Sequence, residues 1–328
     1  MRRLQRGMML LALPLLALSL VLAGCSQGGK DHSDKRRSRR DRDKGASVSK
    51  EKKPIEATGM ATLMGQAKLT GGKEYLATLT EKLHATMDKN AGKDYCYSGK
   101  DFEKEQQDYY VGKNNNVGYV FVWVEPADSN QFFPVSQEQL DNLPKTVEIQ
   151  QPHCAFLPHC VVLFSEYTDP NDPKKNKKTG QTFTVKNDAT IAHNTGVTGP
   201  VNQTPVNKVL QPGEALDPLV LLPERSAVKV YCGVHSWMNA WVKVFDHPYA
   251  TLTKVPLVMD DKGTITGVKF DADDFGTYKL EVPAGVKLRL KAWHEKAGYL
   301  NGSDGEVIEL EKGKSLTKNF QLAAEAPK

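Results

Sequence analysis

The sequence predicts an all-β chain of about two folded units, and three observations carry that prediction. Its 328 residues exceed a single small domain, at roughly 100 to 200 residues per domain. Short runs rich in β-branched and aromatic residues recur along most of the chain, bounded by Gly, Pro or Asn. Helical periodicity is confined to two short stretches before residue 145. Charged residues make up 25% and hydrophobic residues 39%, which excludes collagenous, low-complexity and disulfide-dense classes.

The one long apolar run, Met8–Ala23, has 16 residues, fewer than the roughly 20 needed to span a bilayer. It follows Arg2, Arg3 and Arg6 and ends in Leu22-Ala23-Gly24-Cys25, so residues 1–24 read as an export signal. Leu-Ala-Gly-Cys resembles the bacterial lipobox, which implies cleavage before Cys25 and lipidation of its thiol. Ser26 is not the Asp associated with inner-membrane retention, so the outer membrane, periplasmic side, is the expected destination.

Residues 25–58 read as a charged tether. Lys30–Lys53 carries 11 basic and 5 acidic residues. It accounts for more than the whole formal charge of +5, and the folded remainder is net acidic. A tract without core-forming residues cannot offset its ordering entropy, and beside a lipid anchor it serves to lift the folded part off the membrane. No nucleic-acid partner is expected.

Met60–Leu69 and Gly118–Val124 read as strands, and Leu76, Leu79, Leu83 and Met87 recur on one face of a helix between them. A second short helix is predicted to start at Ser136, with Gln139 completing a capping box, and to stop at Pro144. Strands follow at residues 146–149, 161–164, 182–186, 228–231, 241–245, 267–270, 278–282, 287–293 and 306–310.

The chemistry is concentrated in Val230-Tyr-Cys-Gly-Val-His-Ser-Trp-Met-Asn-Ala-Trp241. Cys232, His235 and Met238 stand at Cys-x2-His-x2-Met spacing in a loop between strands, and His193-Asn194 follows another strand. Two imidazoles, a thiolate and a thioether suit copper. A trigonal plane of soft sulfur and nitrogen with a long axial Met is the blue-copper arrangement.

The segment Gly180-Gln-x5-Asn187-x5-His193-Asn194, followed by the Cys-x2-His-x2-Met loop, is similar to plastocyanins and amicyanins over roughly residues 118–246. That resemblance implies one type 1 copper with His193, Cys232 and His235 as equatorial ligands and Met238 as axial ligand. It also implies that the Asn194 backbone N–H serves the Cys232 sulfur, and that electrons pass at the His235 ring edge, exposed to solvent. Trp237 would belong to the docking patch around that edge, although an inward indole fits the sequence nearly as well.

A longer resemblance runs through Cys96, Cys154-Ala-Phe-Leu-Pro-His159, Asp246-His-Pro-Tyr249, Val282-Pro-Ala-Gly285 and Ala292-Trp-His-Glu-Lys-Ala-Gly-Tyr299. These segments look like planctomycete-type secreted cupredoxins with an added transthyretin-like, carboxypeptidase-regulatory-like sandwich. The implied domains are a cupredoxin with an N-terminal extension containing a short helix (59–246), a second sandwich (247–323) and a tail (324–328). Ser236 replaces the family's proline, and Ser165–Thr179 inserts a Pro- and Lys-rich loop. With Cys25 lipidated and Cys232 a ligand, three cysteines remain, giving one pair and one spare. The resemblance favours Cys96–Cys154, with Cys154–Cys160 the competing link. Cys154, His159 and Cys160 as a second metal site lack an evident fourth ligand. His159 and His294 match family positions and read as hydrogen-bonded structural residues.

The function classes separate on histidines. The eight present contain no His-x-His pair, so a multicopper enzyme is not expected. The reading is a monomeric, lipid-anchored one-electron carrier of the envelope, with a redox partner such as a cytochrome. Lys174, Lys175, Lys177 and Lys178 of the inserted loop are candidates for steering an acidic partner. The alternative is a copper-, carbohydrate- or protein-binding lipoprotein without electron transfer.

Overall fold

The computed structural model describes residues 52–202 and 206–324. The export signal, Cys25, the tether before residue 52 and the last four residues lie outside the described residues. No helix among the described residues is long and apolar enough to cross a membrane.

The fold is all-β with a small helical content, as the short strand runs predict. One five-stranded sheet runs in the order Val206–Leu210, His193–Thr198, Val228–Tyr231, Asn239–Phe245, Cys160–Phe164, its last pair parallel. Opposite it, Thr146–Gln151 pairs in parallel with Thr182–Asn187. Ile149, Phe183 and Val185 from the pair meet Val161, Leu163, Val197, Val228, Val230, Val242 and Val244 from the sheet, forming the core that carries Cys232 and Met238.

A second sandwich is assembled from both ends of the chain. Gly59–Gly71 pairs antiparallel with Thr277–Ala284, and in parallel with Ser315–Thr317 and Phe320–Ala323. Phe121–Pro126 pairs with Lys287–His294 and Ala250–Leu252. Two strands expected within the first unit therefore hydrogen-bond to strands beyond residue 247. The reason is physical: period-2 alternation reports which face a strand buries and is silent on its partner.

Phe121–Val124 has no exposed face, because it lies in the middle of the stack. Val122 and Val124 face the second sandwich's core, with Leu63, Leu280, Leu288 and Leu290. Phe121 and Trp123 face the other way, into a third cluster with Cys160, Leu157, Phe245 and Phe275. The run Phe-Val-Trp-Val is apolar throughout because both faces are covered.

The helix Lys73–Met87 spans this arrangement. Leu76 and Leu79 pack on the second sandwich, whereas Leu83 and Met87 pack on the first sandwich's core. Gly72 enters it at φ 78°, where an added Cβ would stand 1.7 Å from the Ala324 carbonyl oxygen, so the close approach requires glycine. Lys93–Tyr97 and Asp101–Lys104 follow as two further helices, so the extension holds more than the one expected. The Ser136 capping box forms as predicted, with Gln139 N donating to Ser136 Oγ (3.2 Å) and Ser136 N to Gln139 Oε1 (3.0 Å).

The inserted loop is a hairpin, Glu166–Asp169 with Asp172–Lys178. Its charged strand gave no alternation to read. Lys175, Lys177 and Lys178 pair with Asp172, Asp169 and Glu166 of the same hairpin, so much of the expected positive field is neutralised locally.

Candidate metal centre

Two adjacent antiparallel strands set the site. Val228–Tyr231 and Asn239–Phe245 pair up to Tyr231↔Asn239, leaving Cys232–Met238 as the loop beyond the last pair. Cys232 N donates to Met238 O (3.1 Å) and Met238 N to His235 O (2.9 Å), so the loop is closed by its own backbone. Ser236, in place of proline, is exposed outside these bonds. Met238 is fully buried in the same core as Cys232.

His193 begins the neighbouring strand, opposite Leu210. Its approach is fixed by Asn187, fully buried, whose Nδ2 donates to Ile191 O (2.8 Å) and Leu210 O (2.9 Å) while its Oδ1 accepts from Ala189 N (3.0 Å). Asn194 meets the ligand loop through its side chain, Oδ1 accepting from Gly233 N at 2.8 Å.

Donor atoms of His193, Cys232 and His235 lie within 4.8 Å of one another, and all three residues are buried. Neither ring nitrogen of His193 makes a hydrogen bond of good geometry, although the His153 backbone stands close enough to favour its charged form. Orphaned polar atoms in a core are costly unless something binds them. Burial first, then the neighbouring His235, lowers the His193 pKa to about 4, and burial lowers that of His235. Both rings are therefore held neutral, the form that ligates a metal. Cys232 Sγ and His235 Nδ1 are 3.7 Å apart. A sulfur and a nitrogen on one ion at about 2.3 and 2.0 Å, about 120° apart, would stand about 3.7 Å from each other. The donor set fits a single trigonal ion.

The expected electron port is not at the surface. His235 is 2% exposed. The turn before Lys93–Tyr97 covers it: Asn90 Nδ2 donates to Val234 O (3.0 Å), and a Cβ on Gly92 would stand 3.6 Å from His235 Nε2. Trp237 faces inward, its ring 5.1 Å from that of His235 and its Nε1 donating to Cys154 O (3.1 Å). The cap is fastened by the Cys96–Cys154 disulfide, by Tyr95 OH accepting from Thr190 N (2.9 Å), and by Glu103, whose carboxylate stands 3.2 Å from His153 Nδ1. Of these, the Cys96–Cys154 pairing is the one the resemblance implied; the Tyr95 and Glu103 contacts were not read from the sequence. Only the periodic Leu83 and Met87 hinted that the extension packs anywhere near the ligands.

Cys160 is a buried free thiol, which excludes the Cys154–Cys160 link and, with Cys154 oxidised, the second metal site built on it. His159 pairs with Glu295, whose second oxygen accepts from Trp241 Nε1 (2.5 Å). Burial would raise the Glu295 pKa, but His159 and the neighbouring cations outweigh it and hold the carboxylate ionised. His294, on the opposite face, stacks on Tyr109 at 5.0 Å and is lowered to about 4 by burial.

No family model matches the chain, and no curated protein matches it. The solved structures similar to it include cupredoxins. A purple cupredoxin from Nitrosopumilus maritimus is 18% identical, covering 30% of this chain and 99% of that one, with a TM-score of 0.22. An amicyanin variant in the Cu(I) state is 10% identical over 32% of this chain and 89% of its own, with a TM-score of 0.24. A second amicyanin variant, in the reduced state, is 10% identical over 38% of this chain and 99% of its own, again at 0.24.

Proposed function

We propose that this chain is a lipid-anchored type 1 copper protein of a bacterial cell envelope that carries single electrons. One observation carries the reading: donor atoms of His193, Cys232 and His235 converge within 4.8 Å in a buried core, and no hydrogen bond of good geometry occupies the His193 ring. Those three residues and Met238 would hold the ion, which supplies a one-electron couple when bound. Asn187 and the closed Cys232–Met238 backbone keep the donors fixed, so little reorganisation accompanies a change of charge. Burial excludes water from all four. Leu22–Cys25 supports the lipid anchor, and the charged tract after it supports a tether.

Adding Cu(II) to the purified protein should give an intense blue colour and a narrow EPR hyperfine splitting. A colourless site with ordinary splitting would defeat the reading. The burial of His235 favours a second reading, in which copper is held without electron exchange. Stopped-flow reduction by a small cytochrome separates the two: a blue protein that a cytochrome cannot reduce is a copper holder.

A further inference from the structure

The disulfide is not remote from the metal centre. The sulfurs of Cys96 and Cys154 and a ring nitrogen of His235 lie within 4.8 Å of one another, and all three residues are buried. His235 thus lies within reach of two groups of sulfur. Its Nδ1 is turned toward Cys232. With Nδ1 acting as a ligand, the ring proton resides on Nε2. That edge faces Gly92, whose carbonyl accepts from Cys96 N at 3.2 Å. On the other side, the Trp237 indole ties the Cys154 carbonyl to the ligand loop.

Oxidised, this pair offers no thiolate and holds no cation. Reduced, it offers two thiols that become thiolates as an ion binds, at residues whose Cα atoms are 5.2 Å apart in the closed pair, beside an imidazole N–H able to donate to them. Soft thiolates in a dry site select Cu(I). We propose that in the dithiol form Cys96 and Cys154 hold a second, cuprous ion against the Nε2 edge of His235, and that closing the disulfide expels it. This rests on reading His193, Cys232, His235 and Met238 as the first copper centre.

The steps balance. A small dithiol reduces the S–S bond by exchange, becoming a cyclic disulfide and leaving two protein thiols. Binding Cu(I) then releases the two thiol protons. In the reverse direction an organic disulfide takes up two electrons and two protons to become two thiols. The Cys96–Cys154 bond re-forms, and the copper leaves as Cu(I) with its oxidation state unchanged.

The test is Cu(I) stoichiometry of the full chain under anaerobic conditions, read by competition with a chromogenic cuprous chelator before and after dithiol reduction. Thiol counting verifies that the disulfide has opened. We expect one equivalent with the disulfide closed and two with it open, and one equivalent released when an organic disulfide is added. The Cys96→Ser/Cys154→Ser variant should bind one equivalent under both conditions, and Cys160→Ser should behave like the parent. Should the double variant fail to fold, alkylating the reduced parent while one equivalent of copper shields Cys232, and mapping the modified peptides, gives the same comparison, since blocking Cys96 and Cys154 should remove only the second equivalent. An opened parent that still binds one equivalent overturns the proposal and leaves the first copper centre standing. A protein that binds none in either state overturns both.

Discussion

Removing the disulfide tests how the cap and the metal centre share their stability. Cys96→Ala with Cys154→Ala deletes a cross-link between residues 58 positions apart. Chain-entropy arithmetic for a loop of that length gives about 14 cal/mol/K, or about 4 kcal/mol at 25 °C. The unfolded ensemble gains that freedom, whereas the ligand loop keeps its own Cys232–Met238 and Met238–His235 backbone bonds. The cap keeps Asn90 on Val234 O, Tyr95 on Thr190 N and the buried Met87. The variant should therefore lose about 4 kcal/mol in urea unfolding, with a steeper slope because the uncrosslinked unfolded chain exposes more surface, and its Cu(II) form should remain blue wherever it stays folded. A loss below about 1 kcal/mol would show that the bridge constrains little. Loss of colour in a folded variant would show that the bridge, not the loop, positions His235.

The remaining predictions fall on other parts of the molecule. Cys232→Ser should abolish the blue colour, while Met238→Leu should keep it and raise the reduction potential, because the thiolate bond dominates and the axial contact is weak; a blue Cys232→Ser protein would refute the assignment. Lys243, 5% exposed, donates to the Glu224 and Arg225 carbonyls, and burial lowers its pKa from 10.5 to about 8. The unfolded chain therefore binds more protons between those two values, and stability should rise with pH across that window by about 3 kcal/mol, at about 1.36 kcal/mol per unit. Thermal melts of Lys243→Met should lack that rise, and parallel pH profiles for parent and variant would refute it. Cys25→Ser should shift the protein from the membrane to the soluble fraction on cell fractionation, since the tract after it offers no spanning segment; retention in high salt would point to another attachment.

What the sequence made legible was local. Cys232, His235 and Met238 share one seven-residue loop, so their spacing alone put a thiol, an imidazole and a thioether in one segment, and the Asn187 to His193 motif supplied the second imidazole, which the fold brings to Cys232 and His235. The Ser136 capping box is equally local, and it forms. What stayed hidden was non-local. Gly59–Gly71 shows a readable burial alternation, yet nothing in it names Thr277–Ala284 as its partner. The cap over His235 is made by residues some 140 positions upstream, through a backbone turn and one asparagine, and neither carries a hydrophobic pattern. The lysine-rich hairpin escaped for the opposite reason: its strand is charged on both faces, so period 2 left no mark.

The unread strand partner and the unread cap have a common structural root. The cap begins where the strand Gly59–Gly71 ends, and that strand is held by Thr277–Ala284, Ser315–Thr317 and Phe320–Ala323. The intervening helix then presents Leu76 and Leu79 to the second sandwich and Leu83 and Met87 to the first sandwich's core. The turn that covers His235 is thus suspended from the second sandwich, and the buried state of the ligand depends on strands from the far end of the chain. In this arrangement the second sandwich needs no ligand of its own to matter to the centre. It anchors the segment that seals His235 from solvent, and a redox partner of the proposed centre would meet Asn90, Gly92 and the short helix Lys93–Tyr97 before the imidazole.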